Sequence, residues 1–347
     1  SGFTDAALEW LADESHDGHR LRSLLGRLRR PDVARLPEMV AAELKDRQTS
    51  GFGAIPILGL MLQEQLEKLR KLVPDLVQNE AFIYAFLLKL RPGPDVDLQN
   101  DATERGKYLE ALWDFVKGLS PKFNPLKAHV LYHRLDHDRR AGVMDRARFT
   151  EYLKLPRQVG YANPEYLKQF RRDDQPFGLG KDYRHVTLQA AVHDDEELVR
   201  DYLGRFFADA KDFKPFDAWI EAGFVRRVFA STKLPQGAGN PEPWISMIND
   251  PGACQELKDR VEIGFALTNR TWFAAGDAVS LEVDVKNVPT LVVKVFEINA
   301  LNYFLANGRD VDTSIDLDGL VASEQQTHRY EEPPIRRVRR TFAFPAL

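Results

Sequence analysis

From Val279 to Lys286 the chain alternates strictly, with Val279, Leu281, Val283 and Val285 apolar and Ser280, Glu282, Asp284 and Lys286 polar. A period of two marks a half-buried β-strand. Asn287-Val288-Pro289-Thr290 breaks the run, and Leu291–Ile298 resumes it with apolar residues on both faces. This predicts a hairpin or sheet pair whose second strand is the more buried. Val261, Ile263, Phe265 and Leu267 alternate upstream, and Arg336–Pro345 reads as a last strand. Between them Ile315, Leu317 and Leu320 lie in an acidic segment. About four or five strand-like runs stand against the roughly seven of a full sandwich. The β region over 259–347 is therefore expected either to be small or to continue past Leu347, with an unpaired sheet edge beside these strands.

Before about residue 258 the period changes to that of a helix. Leu8, Leu11 and Ala12 form one stripe, and Leu21, Leu24, Leu25 and Leu28 another. Over 57–73, Leu58, Met61, Leu62, Leu66, Leu69, Leu72 and Val73 predict one amphipathic helix ended by Pro74, with Glu64/Lys68 and Glu67/Lys71 as i,i+4 pairs on its wet side. Residues 79–90 are apolar almost all round, as suits the centre of a bundle. Further helices are expected over 102–119, 125–139, 145–155, 164–171, 194–208, 215–230, 242–249 and 251–258. The polar stretch 171–192 and the run 234–243 read as loops. The fold class is thus α+β and multidomain: a helical region over 1–170, a second over 171–258, and an antiparallel β-sandwich-like domain over 259–347.

Composition narrows the function classes. The chain has 347 residues, 44% hydrophobic and 29% charged, and its net charge of −4 offers no global attraction for nucleic acid or an anionic membrane. It lacks the run of about 18 apolar residues that a membrane span requires. The lone cysteine, Cys254, rules out a disulfide within the chain. The opening Ser1-Gly2 carries no signal-peptide pattern and reads as a cloning remnant or a start inside a larger protein; the compartment stays open.

Two side-chain groups invite chemistry. His129, His133 and His137 recur every four residues within about 80° of one helix face, beside Asp136. Two histidines so spaced can share a zinc ion, which makes a metal-dependent hydrolase one alternative. The glutamate base of the His-Glu-x-x-His motif is missing, however, since Val130 and Arg134 follow the first two histidines. Packing and hydrogen bonding are the competing reading. Arginines cluster at Arg20, Arg22, Arg27, Arg29 and Arg30, and again at Arg336, Arg337, Arg339 and Arg340. They make anion or nucleic-acid binding a second alternative, against a solvated helix face and a charge-protected edge strand. No nucleophile elbow, phosphate loop or calcium loop has the required spacing.

The run VEIGFALTNRTWFAAGDAVSLEVDVKNVPTLVVKVFEINALNYF, with VDTSIDLDGLVASE and RRVRRTFAFPAL, resembles the first macroglobulin-like domain of large bacterial proteins related to α2-macroglobulin. In that family such domains are scaffold and partner-contact modules. The thioester Cys-Gly-Glu-Gln of some members has no match, because Cys254 is followed by Gln255-Glu256-Leu257. The resemblance covers about a quarter of the chain and implies a non-enzymatic scaffold or protein-interaction segment of a larger bacterial protein. No cofactor is expected. The partner is expected to be a protein, including other domains of the same parent chain; membrane insertion is not expected and nucleic acid is disfavoured.

Overall fold

A computed structural model describes the chain apart from residues 1–3, 5, 8–9, 11–12, 14–17, 34, 47–48, 50, 172–173, 238–241, 249–250, 313–314 and 346–347. The expected stripe of Leu8, Leu11 and Ala12 lies outside the described residues. The chain divides into two compact units, residues 1–225 and 226–347. Helices dominate up to residue 259 and antiparallel strands follow, so the α+β order read from the periodicity holds.

The first unit contains α1 (Gly18–Arg27), α2 (Leu36–Lys45), α3 (Pro56–Leu60), α4 (Gln63–Leu72), α5 (Glu80–Lys89), α6 (Ala102–Val116), α7 (Asn124–Arg140), α8 (Arg146–Leu153), α9 (Pro164–Leu167), α10 (Arg184–Thr187) and α11 (Glu196–Asp209). Local chemistry sets several starts. Asn79 accepts from the Phe82 amide at 3.1 Å, Asp101 from Thr103 and Glu104 at 2.9 and 3.0 Å, and Asp145 from Arg148 at 3.0 Å. Such caps satisfy amides that have no partner within their helix, and each contributes about 1 kcal/mol. Helix α5 is central, as its all-round apolar sequence predicts, with Phe82, Ile83, Phe86 and Leu87 buried. Phe86 stacks on Phe115 of α6 at 3.9 Å between ring centres, with Arg70 close to both rings.

The single helix expected over 57–73 is two. Met61 and Leu62 leave helical geometry, and Gln65 holds the break: its carbonyl accepts the Leu62 amide at 2.9 Å while its amide nitrogen donates to Pro31 O at 2.6 Å. One polar side chain tying two segments together overrides the continuous apolar stripe. The expected i,i+4 pairs give way as well: Lys68 reaches Glu38 of α2 at 2.5 Å, and Glu67 pairs with Arg70 at 2.7 Å.

Helix α12 (Ala222–Gln236) starts at the end of the first unit and continues into the second, where α13 (Glu242–Ile248) and α14 (Pro251–Asp259) follow. In the second unit Ala230, Leu234, Ile248 and Cys254 form a small buried cluster with Trp244 and Ile335 against it. The strands are β1 (Glu262–Phe265), β2 (Val279–Lys286), β3 (Thr290–Val295), β4 (Glu324–Arg329) and β5 (Arg337–Phe344), with α15 (Ala300–Asn307) between β3 and β4. They form two antiparallel sheets, one ordered β1-β2-β5 and the other β3-β4. Val283, Val285, Phe342 and Phe344 of the first sheet pack with Leu291, Val293 and Val295 of the second.

The opening strand prediction is corrected in two respects. Strands β2 and β3 do not pair with each other; the turn between them, with Asn287 at φ 54°, passes the chain from one sheet to the other. The more buried strand is β2, because it lies in the middle of its sheet, whereas β3 pairs on one side only among the described residues and its side chains alternate between exposed and half-buried. Strand β4 (EQQTHR) has no apolar alternation and is a strand by its ladder with β3. The acidic 310–320 segment contains no strand among the described residues.

Candidate functional site

Each predicted site residue has a definite place. On α7, the His129 Nε2 lies 3.0 Å from Thr187 Oγ1, and the His133 Nε2 lies 2.8 Å from the Ala190 carbonyl oxygen. The two rings meet edge to face at 4.8 Å. Both are buried, and they fasten α7 to the 183–190 segment. Thr187 completes the junction, donating to Tyr183 O at 2.9 Å and accepting the Tyr108 hydroxyl on its carbonyl at 3.0 Å. Burial, helped by the neighbouring His133, pushes the His129 pKa down to about 3. Burial likewise lowers His133 and His137. The imidazoles are therefore neutral near pH 7.

Asp136 accepts from Arg139 and Arg140, both at 2.9 Å. Burial alone would raise its pKa; the bonds and charges of the two arginines outweigh burial and hold it below the usual carboxylate range. Arg139 is itself buried and also reaches Glu197 and Asp201 of α11 at 3.3 and 2.5 Å. Among the described residues no group of three or more histidine, cysteine, aspartate or glutamate side chains is placed to hold a metal ion.

Nearby is a buried ionic cluster that sequence reading did not find. Arg157 pairs with Asp195 and donates to the Tyr161 hydroxyl at 2.8 Å. The hydroxyls of Tyr152 and Tyr161 donate to Asp195 at 2.7 and 2.5 Å, and the guanidinium sits 4.1 Å from the Tyr152 ring centre. Burial raises both tyrosine pKa values, which keeps the phenols protonated as donors. Four residues spread over 152–195 share no sequence spacing, so only the folded chain brings them together.

The arginines divide by strand parity. In the first sheet Glu262, Lys286 and Arg337 form one row, and Gly264, Asp284 and Arg339 the next, on the outer face. Arg337 pairs with Glu262, and Arg339 grips Asp284 through two bonds of 2.9 Å. Arg340 is on the inner face, paired with Glu332 and 4.5 Å from the Tyr330 ring centre. Arg336 is exposed beside a pocket of about 170 Å³ that Arg340 also lines. In the first cluster Arg22 pairs with the buried Glu43 at 2.8 Å and Arg30 grips Asp32 at 2.7 and 2.8 Å. Paired in this way, most of these arginines are neutralised locally by carboxylates.

One exposed apolar surface is on the open side of the sandwich. Ile263 and Phe265 of β1 stand directly across from Val285 and Val283 of β2, on the face that points to the second sheet. The valines are each 5% exposed, the edge residues 54% and 70%. A cavity of about 430 Å³ runs between β1, β2 and β3, lined by Ile263, Phe265, Phe273, Leu281 and Val293 among others, with Lys294 as its charged member. Sequence alternation predicts which face a side chain occupies, but not whether another strand covers it. Among the described residues no helix is long and apolar enough to cross a membrane.

Comparison with known proteins places the chain. A family model described as the actin-binding protein F N-terminal domain matches residues 1–261, and one described as the AbpF first immunoglobulin-like domain matches residues 291–347. Actin-binding protein F of Dictyostelium discoideum is 30% identical over 329 residues, covering 94% of this chain. The chain spans 14% of that protein's length. No solved structure matches. The expectation of a bacterial macroglobulin-like domain is thereby overturned: residues 291–347 of the β region match an immunoglobulin-like family, and the curated relative comes from Dictyostelium discoideum. The resemblance rested on strand alternation, which antiparallel sandwiches share whatever their ancestry, because each must bury one face of each strand. With a family model matching three quarters of its length, the chain belongs to the family described as the actin-binding protein F N-terminal domain.

Proposed function

We propose that this chain is a non-enzymatic protein-interaction segment of a longer multidomain scaffold, and that its partner is actin. The supporting observation is the 30% identity, over nearly the whole chain, to a protein named for actin binding. The reading agrees with how the ionisable groups are used. His129, His133 and Asp136 hold helices to one another, and Arg157 and Asp195 are enclosed with two tyrosines, so these groups serve the stiffness of a platform. Stiffness of this kind favours binding by preorganisation, since little freedom is lost when a partner docks.

Co-sedimentation of the full chain with filamentous actin at about 0.1 M salt, where surface charge effects are screened over about 10 Å, tests the reading. Saturable pelleting with filaments is expected. A chain that stays in the supernatant at all filament concentrations, and that also fails to bind monomeric actin, overturns it.

A further inference from the structure

The helical unit carries a groove that combines aromatic and cationic groups. It contains a cavity of about 200 Å³ lined by Arg146, Phe206, Phe207, Lys211 and Phe216 among others. Phe206 of α11 and Phe216 lie nearly parallel, with ring centres 6.1 Å apart. Arg146, the first residue of α8, holds its guanidinium 5.6 and 5.4 Å from those two centres. Aromatic rings attract a cation at such distances. A guanidinium that meets rings with its face keeps its N–H edges free for a carboxylate.

The charges here are left open, unlike those around them. Arg146 is exposed and has no carboxylate partner among the described residues. On the same two helices Arg148 pairs with Asp138, Arg200 with Glu196 at 2.6 Å and Arg205 with Asp209 at 3.7 Å. Lys211 and Lys214 are exposed and likewise have no carboxylate partner among the described residues. Asp212 is the acidic residue of the lining, and it accepts the Lys214 amide at 3.2 Å. Three cations thus accompany one carboxylate, in a chain whose net charge is −4. We propose that this groove binds an acidic peptide segment of a protein partner, with one apolar side chain in the cavity and a flanking carboxylate on Arg146. Charge complementarity selects the acid. The cavity selects the apolar side chain, because phenylalanine rings wall it and its volume lies below the range of about 300–1,000 Å³ typical of small-molecule sites. A nucleic acid is a poorer occupant. Base stacking needs the open face of a ring, and Phe207 and Phe216 are buried.

The inference goes beyond the actin reading, and its test contains no actin, so the two can fail separately. The probe is a fluorescent peptide of about ten residues with one phenylalanine flanked by aspartates and glutamates, titrated with the full chain by anisotropy. Saturable binding with a Kd below about 1 mM is expected, weakening as salt screens the charges. Arg146→Glu should weaken it about tenfold or more, as like charges placed together do, and Arg146→Gln should act in the same direction. Lys154→Glu, at the far end of α8, changes net charge by the same amount and should leave the Kd within about twofold, as charges more than a Debye length apart are largely screened. All three variants alter exposed side chains, and an unchanged Tm confirms that each is folded. Absence of saturable binding overturns the proposal, as does an equal loss in Arg146→Glu and Lys154→Glu. Full binding by a peptide with serine in place of the phenylalanine also overturns it. Tighter binding of a single-stranded oligonucleotide, weakened by Arg146→Glu, overturns it in favour of nucleic acid.

Discussion

Phe265 and Val283 are cross-strand partners on the same face of the same sheet, yet Phe265 is open to water and Val283 is enclosed. The contrast locates the edge of the second sheet's coverage between β1 and β2. It also separates the energetic roles of two aromatic residues. Phe342 stands in the β2–β5 register opposite Leu281 and is buried. Truncating a buried phenylalanine removes transfer free energy and leaves a cavity, about 3–5 kcal/mol together. Urea unfolding of the β unit's signal should show a loss of that size for Phe342→Ala, and a loss within about 1 kcal/mol for Phe265→Ala, in line with exposed positions generally.

The Arg157–Asp195 pair is enclosed with Tyr152 and Tyr161. Removing one partner leaves the other charge buried without compensation. Asp195→Asn should therefore destabilise the helical unit by about 3–5 kcal/mol. For a unit of this size that corresponds to a fall in Tm of roughly 6–20 °C, at about 2–4 °C per kcal/mol. Thermal unfolding followed by helix circular dichroism measures it. A change within 1 °C would show that the cluster does not support the native state.

His129 has a folded pKa of about 3, below the ordinary value of 6.5, because burial disfavours its charged form. Between these values the unfolded chain binds more protons than the folded one, so stability rises with pH. The contribution is fully present above pH 6.5 and is lost progressively as the pH falls from 6.5 toward 3. His133, also lowered by burial, adds in the same direction. Stability measured by denaturant from pH 8 to pH 4.5 should fall below pH 6.5, and the slope should be shallower in His129→Gln. An identical slope in the variant would place the acid sensitivity elsewhere.

Much of the helical unit was legible because local rules and tertiary packing agree there. The all-round apolar run at 79–90 became the buried α5, and the cap at Asp101 stands where the 102–119 pattern begins. Where they disagree, the longer-range contact prevails: the side chain of Gln65 splits the 57–73 stripe, and β3 makes a strand of EQQTHR. Of the chemistry noticed in the sequence, the histidines share a face as their spacing demands, but their partners, Thr187 and Ala190, lie more than fifty positions away. The arginines of β5 alternate in direction, as any strand must. Which of them are neutralised depends on Glu262, Asp284 and Glu332, and no spacing within 336–340 reveals that.

By itself, then, the sequence determined that helices precede strands and, where the pattern is regular, the face on which a side chain lies, since periods of 3.6 and 2 follow from backbone geometry alone. It also placed the change from helix to strand close to where α14 ends and β1 begins. Only the tertiary structure decided that β2 and β3 belong to different sheets, that Arg157 meets Asp195, and that Phe265 faces an open cavity while Val283 does not. The physical reason is common to all three. Pairing and coverage depend on what lies across a gap from a residue, and the free energy of burying a side chain belongs to both surfaces that meet.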